Sequence, residues 1–121
     1  MIKFNSLNKS SQFLDILKKK KINTKYFTIY FNRYLQNTKR NVDKYLNISF
    51  VIKKNIGNAV TRNKIKRKLK SAVQKASREK QLIDLDYTYI IFGKNSVYKD
   101  KFTFILDELS NTFKKIKQIY S

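Results

Sequence analysis

The sequence lacks several residue types on which many enzymes and secreted proteins depend. Its 121 residues include no cysteine, no histidine, no tryptophan and no proline. Disulfides and cysteine-ligated zinc are therefore excluded, as are cysteine or histidine nucleophiles and bases. Only two glycines, Gly57 and Gly93, interrupt the chain. No linker or repeat is visible, so the boundaries of its elements must come from the hydrophobic pattern.

Acidic residues are also scarce. Eight Asp and Glu stand against 28 Lys and Arg, which gives a formal net charge of +20. Such a charge repels itself in a compact protein unless a polyanion neutralises it, and nucleic acid is the commonest such partner. An anionic membrane surface is the alternative. Because 41% of the residues are hydrophobic, the chain can bury a core, and its length predicts one domain, residues 1–121.

Long apolar runs are missing as well. No segment approaches the roughly 20 apolar residues of a membrane span, and the N-terminal stretch "MIKFNSLNKSSQF" lacks the apolar region of a signal peptide. A chain without thiols fits a reducing compartment. The expected location is the cytoplasm.

Alternation and helical spacing predict an α+β fold, a small two-layer sandwich of a sheet with helices against it. The expected order is α-β-β(-β)-α-β-α, in which the optional strand lies in 36–42. The other predicted elements are a helix from Ser10 or Ser11 to about Lys20, strands at 24–34 and 45–54, a helix at 58–79, a strand at 86–92 and a helix at 98–119.

The stretch "GNAVTRNKIKRKLK", residues 57–70, opens the second long helix. Ile65 and Leu69 begin its apolar stripe, and a polar stripe covers the rest. That polar stripe consists of Arg62, Asn63, Lys66, Arg67 and Lys70, flanked by Lys64 and Lys68. No acid occurs between Asp43 and Glu79, so no ion pair within the helix offsets the charge. The stripe is either a solvated helix surface or a polyanion-binding surface, and the uniform sign favours the second.

This stretch resembles the signature of the bacterial ribonuclease P protein component. The matching residues are Lys54, Gly57, Asn58, Ala59, Val60, Arg62, Asn63, Ile65, Lys66 and Arg67. Elsewhere Leu7, Lys9, Phe13, Phe27, Tyr30, Asp86 and Tyr87 match the family's pattern, so the resemblance covers almost the whole chain. The departures are Asn55 in place of a second lysine, Lys70 where arginine is frequent, and Leu17 where an aromatic residue is common.

The resemblance implies a protein subunit of ribonuclease P, which removes the 5′ leader of precursor tRNA. The RNA subunit would carry out the hydrolysis with bound divalent metal, expected to be magnesium. The chain itself would hold no metal or cofactor and supply no catalytic residue. Its partners would be the RNA subunit and precursor tRNA, with no role for DNA or membrane. The family also implies a left-handed β-α-β crossover, against the general preference for the right-handed one.

Two RNA-facing surfaces follow from the resemblance. The first would dock on the RNA subunit, and it comprises Lys54, Asn58, Arg62, Asn63, Lys64, Lys66, Arg67 and Lys70. The second would be a cleft for the single-stranded leader, formed by Phe13, Leu17, Tyr30 and Lys53. Single strands are held by stacking on aromatic rings and by cations along the backbone, largely without regard to sequence. Phe13 has an alternative role as an ordinary core residue.

Other readings of the sequence stay open at this point. The runner-up is a ribosomal protein, whose charge would suit ribosomal RNA. A DNA-binding module is less favoured because the chain has no helix-turn-helix pattern. A peripheral membrane protein would need exposed apolar groups, but Ile65 and Leu69 are required for the core. A self-sufficient protein nuclease is disfavoured by the missing acid–base residues.

Overall fold

The computed structural model describes residues 3–6, 10–33, 45–78, 83–85 and 87–120. A single-turn 3-10 helix, Lys54–Ile56, precedes the longest helix, and a π-helical turn, Ile116–Tyr120, extends the last one. The strands are β1 (Phe4–Asn5), β2 (Lys20–Asn23), β3 (Phe27–Arg33), β4 (Leu46–Val51) and β5 (Tyr87–Gly93). The helices are α1 (Ser10–Leu17), α2 (Ala59–Arg78), α3 (Ser96–Lys99) and α4 (Phe102–Lys115).

The strands form one five-stranded sheet in the order β1-β4-β5-β3-β2. β3 pairs antiparallel with both β2 and β5, whereas β4 is parallel to β5 and to β1. The chain therefore passes from β4 through α2 to a neighbouring parallel strand, which is the pairing that the expected crossover requires. Its left-handed sense stays a prediction. The α+β class is confirmed.

One face of the sheet carries the main core. Phe27, Ile29 and Phe31 alternate along β3 and are fully buried, as are Tyr89 and Ile91 on β5. α2 buries a stripe at helical spacing against this face, and α4 packs beside α2. The buried apolar side chains of the two helices are Ile65, Leu69, Ala72, Val73, Ala76, Ile105, Leu109 and Phe113.

The other face of the sheet holds α1. Gly93 points towards α2, because a Cβ built on it would lie 2.8 Å from Leu69 Cδ1 and 3.0 Å from Ile65 Cγ2. Side chains alternate along a strand, so Phe92 faces away from α2. The ring of Phe13 on α1 lies 6.5 Å from the ring of Phe92, which puts α1 on the face opposite α2. The basic helix and the first helix are thus on opposite sides of the sheet.

Three details differ from the sequence-based expectation. α1 ends at Leu17 and not near Lys20, because Lys20 and Lys21 pair with Phe31 and Tyr30 in the β2–β3 hairpin. The last helix is divided into α3 and α4 by Asp100, whose backbone is extended. β1 and β2 add edge strands that the hydrophobic pattern did not indicate. The optional strand in 36–42 and the matched residues Leu7, Lys9 and Asp86 lie outside the described residues.

Asp100 holds this interruption in place. Its Oδ2 accepts a hydrogen bond from the hydroxyl of Tyr26 at 2.7 Å and lies 3.3 Å from Nζ of Lys25. Its backbone carbonyl oxygen accepts a hydrogen bond from Nζ of Lys68 on α2. The hydrogen bond to Asp100 is the main reason why the pKa of Tyr26 rises to about 12, and the same bond lowers the pKa of Asp100. One residue therefore links the β2–β3 turn, through its carboxylate, and α2, through its backbone carbonyl, to the start of α4.

Candidate nucleic-acid interface

Asn58 and Thr61 define the first turn of α2. Oδ1 of Asn58 accepts a hydrogen bond from the backbone N–H of Thr61 at 2.9 Å, and its carbonyl oxygen accepts one from the N–H of Arg62 at 3.0 Å. This is the geometry of a helix N-cap, which satisfies an N–H group that the helix leaves unpaired. Asn58 was predicted to contact RNA, and the cap gives its side-chain oxygen a structural role of its own.

Arg62 is tied to the turn that precedes the helix. Its Nε–H donates a hydrogen bond to the carbonyl oxygen of Gly57 at 3.1 Å, and the side chain is half-buried. A Cβ at Gly57 would lie 3.1 Å from the Cβ of Thr61, so this position leaves little room for a larger residue. The terminal nitrogens of the guanidinium take no part in this bond. They are the donors suited to bidentate phosphate recognition.

The rest of the polar stripe of α2 faces solvent. Ile65 and Leu69 are fully buried, whereas the other predicted RNA contacts of the helix are exposed, namely Asn63, Lys64, Lys66, Arg67 and Lys70. Lys54 is exposed at the start of the 3-10 turn. The sequence of α2 contains no Asp or Glu. The helix therefore presents positive charge along much of its outer surface. The term basic stripe is used here for Lys54, Arg62, Asn63, Lys64, Lys66, Arg67 and Lys70.

A second surface is built of aromatic rings on the opposite face of the sheet. The ring of Phe92 lies 5.5 Å from Tyr30 and 6.5 Å from Phe13, both in edge-to-face geometry. Nζ of Lys53 lies 5.7 Å above the ring of Phe92. The structure thus brings together Phe13, Tyr30 and Lys53, and Phe92 is the ring that joins them. These four residues are here called the aromatic cleft.

The other residues near the cleft are less closely tied to it. Nζ of Lys21 on β2 lies 6.0 Å from the ring of Tyr30, which adds a cation towards the sheet edge. Leu17 is half-buried one turn after Phe13 on α1. Phe13 is also half-buried, so it is not one of the fully enclosed core rings. Its ring has both a packing contact and an exposed part.

Comparison with known proteins decides the family. The family model described as Ribonuclease P matches residues 1–117. The chain belongs to the ribonuclease P protein family. Ribonuclease P is a tRNA-processing endoribonuclease, and this chain is one of its protein components.

Individual relatives agree with the family model. The ribonuclease P protein component of Carboxydothermus hydrogenoformans is 30% identical over 119 residues, covering 98% of this chain and 96% of the relative. The protein of the same name from Mycoplasma mycoides is 33% identical over 112 residues, covering 92% and 94%.

Solved structures show the same fold. The ribonuclease P protein of Thermotoga maritima superimposes with a TM-score of 0.72 at 23% identity, covering 93% of this chain and 97% of that one. The ribonuclease P protein of Staphylococcus aureus superimposes with a TM-score of 0.67 at 20% identity, covering 96% and 97%.

Phe92 is the residue of this ribonuclease P protein that the sequence analysis missed. The sequence predicts one strand at 86–92 and does not assign its residues to faces. Pairing with β3 sets Thr28 opposite Phe92 and Tyr30 opposite Ile90, so the even-numbered residues of both strands share a face. The alternation of β5 relative to Tyr30 could have indicated Phe92 as a cleft residue.

Within the described ranges, no three His, Cys, Asp or Glu side chains come together in a way that could hold a metal ion. Among the helices that the structure describes, none is long and apolar enough to cross a membrane.

Proposed function

We propose that this chain binds the catalytic RNA subunit of ribonuclease P through its basic stripe and holds the 5′ leader of precursor tRNA in its aromatic cleft. In this way it promotes endonucleolytic removal of the leader, which leaves the mature 5′ end of the tRNA. The basic stripe carries the proposal. It combines exposed Lys66 and Arg67 with Arg62, whose guanidinium is held in place by Gly57, on a helix without acids.

The chemistry of the chain is consistent with the division of labour that the family implies, in which the RNA subunit is the catalyst. A sequence without histidine or cysteine has few groups for general acid–base catalysis, so hydrolysis is assigned to the RNA subunit. Divalent metal, expected to be magnesium, is assigned to that subunit as well, where it would activate water and stabilise the leaving oxygen. Residues 1–121 would then act as one RNA-binding domain of a cytoplasmic ribonucleoprotein, without DNA or membrane as a partner.

The leader proposal depends on the rings and cations of the cleft. Phe92, Tyr30 and Phe13 offer stacking surfaces, while Lys53 and Lys21 lie next to them and would neutralise phosphates. Bases of any identity can stack on an aromatic ring, which suits a subunit that meets leaders of many sequences.

The deciding experiment is cleavage of a precursor tRNA by the cognate RNA subunit at low magnesium, with and without the protein. We expect strong stimulation by the wild-type protein and its loss in Lys66→Ala/Arg67→Ala. The matched control is Lys114→Ala/Lys115→Ala, which removes the same charge from exposed positions on α4 and should stimulate like wild type. Absence of stimulation by the wild-type protein would overturn the proposal.

A further inference from the structure

Among the residues that the structure describes, two large aromatic side chains are exposed outside the cleft. Tyr98 on α3 is 44% exposed and Phe104 on α4 is 53% exposed. Their surroundings differ in charge. Nζ of Lys64 lies 5.9 Å from the ring centroid of Tyr98. Phe104 lies one helical turn before Asp107 and Glu108, which therefore share its side of α4.

Tyr98 lies beside the basic stripe. α3 packs against α2, and Lys64 belongs to the stripe. Lys99 and Lys101 follow Tyr98 in the chain and are both exposed. The acid between them does not offset their charge, because the carboxylate of Asp100 is engaged by Tyr26 and Lys25. The ring of Tyr98 is thus an exposed apolar surface with lysine side chains around it.

We propose that Tyr98 is a stacking platform for an unpaired base of the RNA that docks on α2, with Lys64 neutralising the adjacent phosphate. The inference rests on the proposed function, since it takes the occupant of the basic stripe to be RNA. An aromatic ring with a neighbouring cation is the arrangement with which proteins hold a single unpaired nucleotide. Phe104 is the internal comparison, because it offers a ring of similar size and exposure beside negative charge.

The absence of tryptophan allows a direct test. Tyr98→Trp and Phe104→Trp each create a protein with a single tryptophan. Each variant is titrated with the ribonuclease P RNA subunit while tryptophan fluorescence is recorded. A base stacked on the indole quenches its emission, so we expect quenching for Tyr98→Trp and little change for Phe104→Trp. No quenching at position 98, or equal quenching at both positions, would overturn the inference.

A second measurement separates stacking from charge. Tyr98→Ala should weaken binding to the RNA subunit by about 5- to 100-fold, whereas Tyr98→Phe keeps the ring and should bind like wild type. Affinity falls as salt rises, and the steepness of log affinity against log salt should be unchanged in Tyr98→Ala. In Lys64→Ala the slope should become shallower by about one. If Tyr98→Ala binds with wild-type affinity while Lys66→Ala/Arg67→Ala binds poorly, the inference about Tyr98 is wrong and the proposed function stands. Failure of the wild-type protein to bind this RNA overturns the proposed function as well.

Discussion

The Nε–H of Arg62 donates a hydrogen bond to the carbonyl oxygen of Gly57 across 3.1 Å. The bond links the first turn of α2 to the segment that enters it, while the N-cap Asn58 lies between the two residues. It fixes the direction of the guanidinium before any ligand binds. Side-chain freedom that is already lost does not have to be lost again on binding, which favours affinity.

Replacement of Arg62 by lysine tests the value of this orientation. Arg62→Lys keeps the charge but loses the planar guanidinium, which can donate to the carbonyl oxygen of Gly57 and to a phosphate at the same time. Hydrogen bonds to charged groups contribute about 1.5–3 kcal/mol, so affinity for the RNA subunit should fall roughly tenfold or more. The salt dependence of binding should not change. Arg67→Lys, at an exposed position, is the control and should lose less affinity. Equal losses in both variants would contradict the orienting role of Gly57.

Phe92 is expected to matter for the leader and not for docking. Phe92→Ala removes the ring that joins Phe13, Tyr30 and Lys53, so affinity for a precursor tRNA with a leader should fall by about 5- to 100-fold. Affinity for the RNA subunit alone and for mature tRNA should stay close to wild type. Tyr30→Phe keeps the ring and is the matched control. The measurement is equilibrium binding to holoenzymes assembled with each variant. An equal loss for precursor and mature tRNA would contradict the assignment.

Acid should destabilise the protein through Asp100. The hydrogen bond from Tyr26 lowers the pKa of Asp100 below its ordinary value of 3.8, so the folded state favours the ionised carboxylate. This contribution is present above pH 4 and is lost as the pH falls through the folded-state pKa. Asp100→Asn should therefore show a weaker fall of stability in acid than wild type. Urea unfolding at several pH values below 5 measures the difference, and parallel curves would contradict it.

Alkali should act through Tyr26. The pKa of this hydroxyl is raised from 10.0 to about 12 in the folded protein, first because it donates to Asp100. The stability contribution is complete below pH 10 and is lost between about pH 10 and 12, because the unfolded state releases the proton first. Tyr26→Phe lacks this group and should lose less stability over the same interval. The difference between the two proteins over this interval measures the contribution of Tyr26, and identical losses of stability would contradict it.

Gly93 is required where α2 lies against the sheet. A Cβ at this position would be 2.6 Å from Cδ1 of Ile52 and 2.8 Å from Cδ1 of Leu69. Gly93→Ala should therefore destabilise the fold by about 1–3 kcal/mol, the usual cost of overpacking a core. Chemical denaturation measures the loss. Adding Ile52→Val removes the nearest methyl group, so the double variant should lose less stability than the sum of the two single losses. A loss equal to that sum or larger would contradict the steric explanation.

The elements that the sequence predicted well have a strong pattern of their own. α2 was expected at 58–79 and spans Ala59–Arg78, because buried Ile65, Leu69 and Ala72 recur at helical spacing on a basic background. Elements with a weak sequence pattern were predicted less well. The sequence predicts a helix to about Lys20 and no strand at Lys20–Asn23, because a lysine run fits the end of a helix as well as a strand and only the pairing with β3 identifies the strand. The break at Asp100 depends on Tyr26 and Lys25, which lie far away in the sequence.

The two surfaces could be predicted to different extents. The motif around Arg62 lies on one helix, so its exposed side follows from residue spacing alone. The cleft joins Phe13 of α1, Tyr30 of β3, Phe92 of β5 and Lys53 after β4. No local pattern indicates that four separate segments meet. The roles of these residues in RNA binding stay a prediction.

Lys53 and Lys54 are consecutive residues, yet each belongs to a different surface. Lys53 lies over Phe92 in the cleft, and Lys54 begins the turn that leads into α2. One peptide bond therefore connects the two surfaces. If substrate strand and ribozyme occupy these surfaces together, the protein would act as a fixed spacer. It would hold the two RNAs at a set separation, so that its contribution to the reaction would be alignment and not chemistry.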